Sequence, residues 1–124
     1  MAKTVTIGLI QTSVSNNVAS NMKKTVKKIK EAAACGAQII CLQELYRTQY
    51  FPQVKRQDVA QLAETIPGES TTALSALAKD KKVVIIAPLF ERTENGKYYN
   101  TAAVINADGM IRGFYRKMHI PCGP

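Results

Sequence analysis

The side chain in this sequence with the clearest chemical potential is the carboxylate of Glu44, which follows a short apolar run. The run covers residues 39–42 within the segment 37–44, between turn residues. Such a run predicts a strand buried on both faces. Because reactions in open α/β sheets occur beyond the carboxyl ends of strands, Glu44 lies where a base is useful, and partial burial should raise its pKa. A solvated loop glutamate is the alternative that this segment leaves open.

The other groups that could do chemistry are Lys117, one histidine and three cysteines. Lys117 lies in a basic segment with Arg112 and Arg116, so an ordinary surface lysine is the simpler interpretation from the residues alone. His119 is the only histidine, which disfavours Cys-His and Ser-His-Asp schemes, and we expect a structural role near Lys117. The cysteines lack a CxxC pair, which disfavours zinc, and their odd number suits a reducing compartment: Cys35, Cys41 and Cys122.

Hydrophobic spacing predicts a βαβ unit in the first third of the chain. Residues 3–11 alternate as a strand, and apolar residues recur at helical steps from Val18 to Ala33, where Gly36 provides a stop. The strand at 37–44 follows at once, so the two strands should be parallel. The polar and aromatic loop 46–57 then leaves the carboxyl end of that strand and should overhang any site there.

The remainder of the sequence predicts two more helices and an antiparallel run of strands. Residues 58–66 read as a short helix that Pro67 and Gly68 break, and Ser70 or Thr71 should cap the next helix. A buried strand follows at 83–89. Turns at 94–97 and 107–109 then separate strands at 99–106 and 111–115. The fold class predicted is α/β with a mixed β-sheet.

Composition and length set limits on the class of protein. The chain has 124 residues, of which 46% are hydrophobic, and we expect residues 1–124 to form a single, apparently truncated domain. Two helices can cover only one face of the sheet, so the other face should need a partner or further chain. We find no membrane-spanning run or leader and expect a cytoplasmic protein. The net charge is +8, but the lysines of residues 23–30 follow a solvated helix face, which disfavours nucleic-acid binding.

Several segments together resemble the nitrilase (carbon–nitrogen hydrolase) superfamily. They are VTIGLIQ at 5–11, IICLQE at 39–44 followed by Tyr50 and Phe51, Ala87-Pro88, YNTAA at 99–103 and YRKMHIP at 115–121. Within the superfamily, LQELYRTQYFPQ at 42–53 and YRKMHIP most resemble N-carbamoylputrescine amidohydrolases. The resemblance covers the whole chain, but only the amino-terminal part of a family member.

The resemblance implies a fold, a reaction and a set of residues. The implied fold is the amino-terminal part of an α-β-β-α sandwich, in a protein that forms homo-oligomers. Glu44 matches the family base and Lys117 the family lysine, which would stabilise an oxyanion while a cysteine attacks a carbamoyl or amide carbon. Tyr50 and Phe51 are candidates for substrate contact, with core packing as the alternative. The substrate would be a small carbamoyl amine or amide, most closely N-carbamoylputrescine, hydrolysed to putrescine, CO2 and ammonia. No metal or organic cofactor is implied.

This chain departs from the family pattern because it ends before the family's nucleophilic cysteine. Cys122 is too close to Lys117 to match that cysteine, and acidic residues are usual in the family after HIP. We therefore expect the 124-residue chain alone to be inactive. A β-ureidopropionase-like or ω-amidase-like hydrolase stays open. So does a non-catalytic fragment or interaction module that associates with another chain, and strong salt-dependent retention on DNA or RNA would instead support a nucleic-acid binder.

Overall fold

Five strands form one mixed sheet whose spatial order follows the sequence. The structure, a computed structural model, describes residues 3–53 and 59–121. Within these ranges the strands and helices are β1 (Ile7–Leu9), α1 (Val18–Ala34), β2 (Ile39–Cys41), α2 (Glu69–Lys81), β3 (Val84–Arg92), β4 (Tyr98–Ile105) and β5 (Ile111–Arg116). β1, β2 and β3 are parallel, whereas β3, β4 and β5 pair antiparallel. The α/β class and the mixed sheet predicted from the sequence are confirmed.

The first βαβ unit forms because local signals agree with the apolar pattern. Asn17 caps α1, and its side chain accepts a hydrogen bond from the backbone N–H of Ser20 at 2.9 Å. Ile29 on the predicted apolar face of α1 is fully buried, and Met22 and Val26 pack against the same core. Gly36, at φ +90°, ends the helix in the left-handed conformation that favours glycine. The chain then enters β2 with four residues between the two elements.

Both helices pack on one face of the sheet. Strand register places Ile40, Ile85 and Ile105 in one row across β2, β3 and β4, and none of the three is exposed to solvent. Residues that pair across strands point to the same face. This row forms one hydrophobic cluster with Ile29 of α1 and Leu74 of α2. We call this side of the sheet the helix face.

The opposite side of the sheet, the open face, is apolar and partly exposed. Leu9 is 78% exposed and Ile7 is 59% exposed, and Tyr115 on β5 is 61% exposed. Cys41 and Ile86 continue the row of Leu9 and are half-buried. The two helices of the described part lie on the other side, as expected from the sequence. None of the helices in the described ranges is both long and apolar enough to cross a bilayer.

Several predictions about elements were wrong in detail, among them the cap of α2, which is Gly68 rather than Ser70 or Thr71. The helix predicted at 58–66 is a single 3₁₀ turn at Ala60–Leu62, and Asp58 lies outside the described residues. Glu64 instead pairs with β3, because its N–H donates to the carbonyl of Phe90 at 2.9 Å and its carbonyl accepts from Arg92 at 2.7 Å. The strands predicted at 3–11 and 37–44 shrink to three residues each. β2 is fully buried only on the helix face, so burial on both faces was also wrong.

Candidate functional site

Glu44 lies in the turn that leaves the carboxyl end of β2. The next residue, Leu45, has φ +53°, which reverses the chain, and the N–H of Thr48 donates to the carbonyl of Leu45 at 3.1 Å. A leucine adopts this conformation only when its surroundings hold it there, and its side chain is 4% exposed. The burial of Leu45 therefore holds the backbone in a strained conformation, which fixes the direction of the Glu44 side chain.

Two buried polar side chains hold this turn in place. The amide nitrogen of Asn21 donates to the carbonyl oxygens of Ser15 at 2.7 Å and of Arg47 at 2.8 Å, and its oxygen accepts from the N–H of Ser15. Asn21 is 2% exposed, so these bonds are sheltered from water. The guanidinium of Arg47 also pairs with the carboxylate of Glu64 at 2.8 Å, with both side chains largely buried. The base of α1, the turn and the segment before α2 are thus bonded together.

Lys117 and Asn100, from the end of β5 and from β4, both contact the Glu44 carboxylate. The Lys117 Nζ lies 3.0 Å from Glu44 Oε1, and the Asn100 Nδ2 donates to the same oxygen at 2.7 Å. Asn100 lies on β4, and Lys117 is the first residue after β5, with its backbone N–H bonded to the Asn100 carbonyl at 2.8 Å. The structure thus brings into contact the two residues to which the family resemblance assigns roles in one mechanism. Their catalytic roles stay a prediction.

The electrostatics of Glu44 differ from what its position after a buried strand predicts. Partial burial raises the pKa of Glu44, but hydrogen bonds from Lys117, Asn100 and Tyr50 and the charge of Lys117 outweigh it and hold the pKa below its ordinary value of 4.5. The predicted upward shift was therefore wrong, because the strand alone does not show the donors that arrive from β4 and β5. The same hydrogen bond, with the negative charge of Glu44, raises the pKa of Lys117. The site is an ammonium–carboxylate pair near neutral pH.

An apolar cavity of about 460 Å³ opens beside this pair on the open face of the sheet. Its walls include Leu45 and the predicted substrate contacts Tyr50 and Phe51, with Lys117 and Asn100 as polar groups. Three rings form one continuous wall: Phe51 lies 5.0 Å from Phe90, which lies 5.5 Å from Tyr98, measured between ring centroids. That Tyr50 and Phe51 contact a substrate stays a prediction.

The remaining candidates are not part of the cavity wall within the described ranges. His119 is exposed two residues after Lys117, which does not support a structural role by packing. Cys35 is exposed at the end of α1, Cys41 is half-buried in β2, and Cys122 lies outside the described residues. Residues 3–53 and 59–121 hold no group of three or more histidine, cysteine or acidic side chains placed to bind a metal.

Sequence reasoning missed the third member of the cluster and part of the aromatic wall. Asn100 belongs to the YNTAA segment, but the sequence assigns no role to it and gives no indication of Phe90 or Tyr98. Strand periodicity provides a signal for Asn100, because it interrupts the apolar side of β4 with a polar residue at the strand end nearest Lys117. Phe90 and Tyr98 are partners only through the register of β3 and β4, which the sequence alone does not establish.

The family to which this chain is similar follows from its sequence and from its fold. Residues 6–124 match the family described as carbon–nitrogen hydrolase, and the chain belongs to that family. An N-carbamoylputrescine amidase of Arabidopsis thaliana is 39% identical over 121 residues, which are 97% of this chain and 40% of that protein. An ω-amidase NIT2-B of Xenopus laevis is 41% identical over 118 residues, which are 92% of this chain and 40% of that protein.

Solved structures share the fold of this chain. A carbon–nitrogen hydrolase from Helicobacter pylori G27 is 34% identical with a TM-score of 0.86, over 94% of this chain and 40% of that one. Nit3 of Saccharomyces cerevisiae, a member of the nitrilase superfamily, is 22% identical with a TM-score of 0.76, over 93% of this chain and 44% of that one, and supports the fold only. The chain thus spans about 40% of the length of the curated relatives it matches.

Proposed function

We propose that Glu44 is the base and Lys117 the oxyanion-stabilising lysine of an amidohydrolase that cleaves a carbamoyl or amide C–N bond. The observation that carries this proposal is the contact of Glu44 with Lys117 and Asn100 at the mouth of an apolar cavity. A carboxylate beside a fixed ammonium can remove a proton from a nucleophile and leave positive charge where negative charge develops. The chain's membership of the carbon–nitrogen hydrolase family supports this chemistry.

The proposed reaction needs a thiol that comes from outside the described part of the chain. Within that part, the cavity wall contains no cysteine. In the proposed mechanism a cysteine supplied by further chain attacks the carbonyl carbon, Lys117 stabilises the oxyanion, and Glu44 takes the thiol proton and passes it to the leaving nitrogen. Glu44 then activates a water molecule that hydrolyses the S-acyl or S-carbamoyl intermediate. With a carbamoyl substrate the carbamic acid so formed loses CO2 and releases the second nitrogen. Asn100 orients Glu44 throughout.

Within this class we propose N-carbamoylputrescine as the substrate. Four aromatic rings line the cavity: Tyr50, Phe51, Phe90 and Tyr98. The one cation among its described wall residues, Lys117, is already paired with Glu44. Aromatic faces attract an ammonium group and pack well against an alkyl chain. A carboxylate on the substrate would find no free cation among these described wall residues. The 39% identical N-carbamoylputrescine amidase agrees with this choice, whereas the ω-amidase relative favours the alternative of an acid-bearing amide.

Ammonia release by the whole natural protein tests the proposal. N-carbamoylputrescine should be hydrolysed to putrescine, CO2 and ammonia at least about tenfold more efficiently than succinamate, an amide that carries a carboxylate. Glu44→Gln and Lys117→Ala should each lower kcat by about 100-fold or more, because each removes a group needed in the transition state. Lys97→Ala, at an exposed lysine in the β3–β4 turn, is the matched control and should leave the rate unchanged. Equal rates for all three variants would contradict the proposed roles.

One observation favours a second candidate, a non-catalytic module that associates with another chain. The open face exposes Ile7, Leu9 and Tyr115, which is apolar surface suited to a protein contact. This candidate predicts that the natural protein hydrolyses neither carbamoyl nor amide substrates, and that its open face is covered by a separate polypeptide. The ammonia assay distinguishes the two candidates.

A further inference from the structure

A second carboxylate, Glu91, occupies the helix face of the sheet close to the Glu44 site. It lies on β3 and is 4% exposed, yet it is fully partnered. Arg116 Nε donates to Glu91 Oε2 at 2.8 Å, Arg116 Nη2 donates to Oε1 at 2.6 Å, and the Thr101 hydroxyl donates to Oε2 at 2.6 Å. Glu91 therefore bonds β3 to β4 and β5 at the same level.

The partners of Glu91 and the partners of Glu44 are neighbours in sequence. Thr101 follows Asn100 on β4, and Arg116 immediately precedes Lys117 at the end of β5. Thr101 and Arg116 are paired across the two strands, and the bond from the Lys117 N–H to the Asn100 carbonyl continues the ladder. Successive side chains of a strand point to opposite faces. Glu91 therefore binds Thr101 and Arg116 on the helix face, and Glu44 binds the neighbouring residues Asn100 and Lys117 on the open face.

Arg116 is held by more than its ion pair. Its guanidinium carbon lies 4.2 Å from the centroid of the Tyr99 ring and 5.0 Å from that of Phe114. A two-point bond between a guanidinium and a carboxylate fixes both orientation and distance, and ring contacts restrict the guanidinium plane further. The position of Arg116 affects Lys117 because β5 ends at Arg116. Lys117 is therefore not followed by another residue of β5 that would hold it in the sheet.

We propose that Glu91 and Arg116 are positioning residues that hold Asn100 and Lys117 at the correct distance from Glu44, acting through the backbones of β4 and β5. The catalytic consequence rests on the proposed hydrolase function, whereas the geometric consequence does not. In this arrangement the ion pair on the helix face sets where the ammonium and the amide arrive on the open face. Weakening it lets the end of β5 move, which lengthens the Lys117–Glu44 contact.

The test measures the pKa of the Glu44 carboxyl in the whole natural protein by ¹³C NMR titration. The first variant is Arg116→Lys, which keeps the positive charge but cannot form the two-point bond. The second is Glu91→Gln, which removes a negative charge, so its direct electrostatic effect on Glu44 is to lower the pKa. Loss of the Lys117 and Asn100 contacts raises the pKa instead. We therefore expect the Glu44 pKa to rise toward 4.5 in both variants.

The matched control breaks another arginine–carboxylate pair, in which Arg112 of β5 binds Asp108 in the preceding turn. Asp108→Asn removes the partner of Arg112 at the opposite end of β5, and it should leave the Glu44 pKa unchanged. If the hydrolase function holds, Arg116→Lys should lower kcat by about 10- to 100-fold, the range expected for a misplacement of about 1 Å, with KM within about twofold. Asp108→Asn should leave both constants unchanged.

The outcomes separate a positioning role from a purely structural one. A folded Arg116→Lys protein in which the Glu44 pKa is unchanged or lower overturns the proposal, and so does an unchanged kcat in an active enzyme. Loss of folding in both variants would assign the pair to stability alone and overturn it too. If no substrate is hydrolysed but the Glu44 pKa rises as expected, the positioning role stands and the proposed function fails.

Discussion

The contact between Glu44 and Lys117 should contribute little to the stability of the fold. The two side chains are 40% and 38% exposed, and ion pairs at such exposure contribute little to folding because water screens them. We therefore expect Lys117→Met to leave the urea midpoint of the whole protein unchanged within error while it removes the proposed activity. Lys79→Met, at a lysine in the last turn of α2, is a control expected to change neither quantity. A large loss of stability in Lys117→Met would show that the pair is structural.

Glu91, unlike the pair of Glu44 and Lys117, should contribute to the stability of the fold. The hydrogen bond from the Arg116 guanidinium lowers the pKa of Glu91, and this outweighs the burial that raises it. A carboxyl whose pKa is lowered on folding stabilises the fold above its unfolded pKa, near 4.5, and this stabilisation disappears as pH falls through the lower folded value.

The pH dependence of unfolding measures this contribution. The difference in unfolding free energy between the wild-type protein and Glu91→Gln should be largest near pH 6 and should shrink as the pH falls below about 4.5. Urea unfolding at several pH values between roughly 3 and 7 provides the measurement. A difference that stays constant across this range would contradict the role of Glu91 as an ionised, bonded carboxylate.

The turn after β2 is the element on which the direction of Glu44 depends, and one arginine offers an internal comparison there. Arg47 contacts Glu64, which is 9% exposed, and Glu69, which is 88% exposed. Glu64 also accepts the N–H of Ser70 in the first turn of α2 at 3.0 Å. Glu64→Gln leaves a buried guanidinium with only the exposed carboxylate of Glu69 as its counter-charge, so we expect a loss of about 3 kcal/mol of unfolding free energy.

The matched variant Glu69→Gln removes the exposed carboxylate from the same arginine and should cost less than about 0.5 kcal/mol. Urea unfolding of both variants gives the comparison. Similar losses for the two would mean that burial does not decide the value of this pair. They would also weaken the argument that the Arg47–Glu64 contact holds the turn.

Sequence reasoning succeeded at the element scale where local and tertiary preferences agree. Asn17, the apolar steps of α1 and Gly36 all favour the helix that forms, and alternation predicts β4 and β5 to within one residue at each end. It failed at 58–66, where helical spacing competes with an edge contact to β3 that only the folded sheet offers. The Glu44 pKa was wrong for the same reason: its donors lie 56 and 73 residues away.

The candidate site and the exposed apolar surface both lie on the open face of the sheet. The cavity beside Glu44 lies at one end of the open face, and the other end exposes Ile7 and Leu9. The matched relatives are longer than this chain, which corresponds to about 40% of their length. We infer that further chain covers this face and brings the missing thiol over the cavity, so that one packing event completes both the core and the site.

This inference predicts that one substitution affects the whole protein and the 124-residue chain differently. Leu9→Ser removes an apolar side chain that is 78% exposed in these 124 residues. If further chain buries it, the whole protein should lose about 2 kcal/mol of unfolding free energy. The 124-residue chain alone should lose little stability and should self-associate less in sedimentation experiments, because its apolar face becomes smaller.

Met110→Ser provides the control for exposure alone. Met110 is 59% exposed in the turn between β4 and β5, away from the row of Leu9. Its loss should change neither the stability of the whole protein nor the association of the shorter chain. If Leu9→Ser behaves like Met110→Ser in the whole protein, the open face is not covered there. The thiol would then have to reach Glu44 without a layer of chain packed on this side of the sheet.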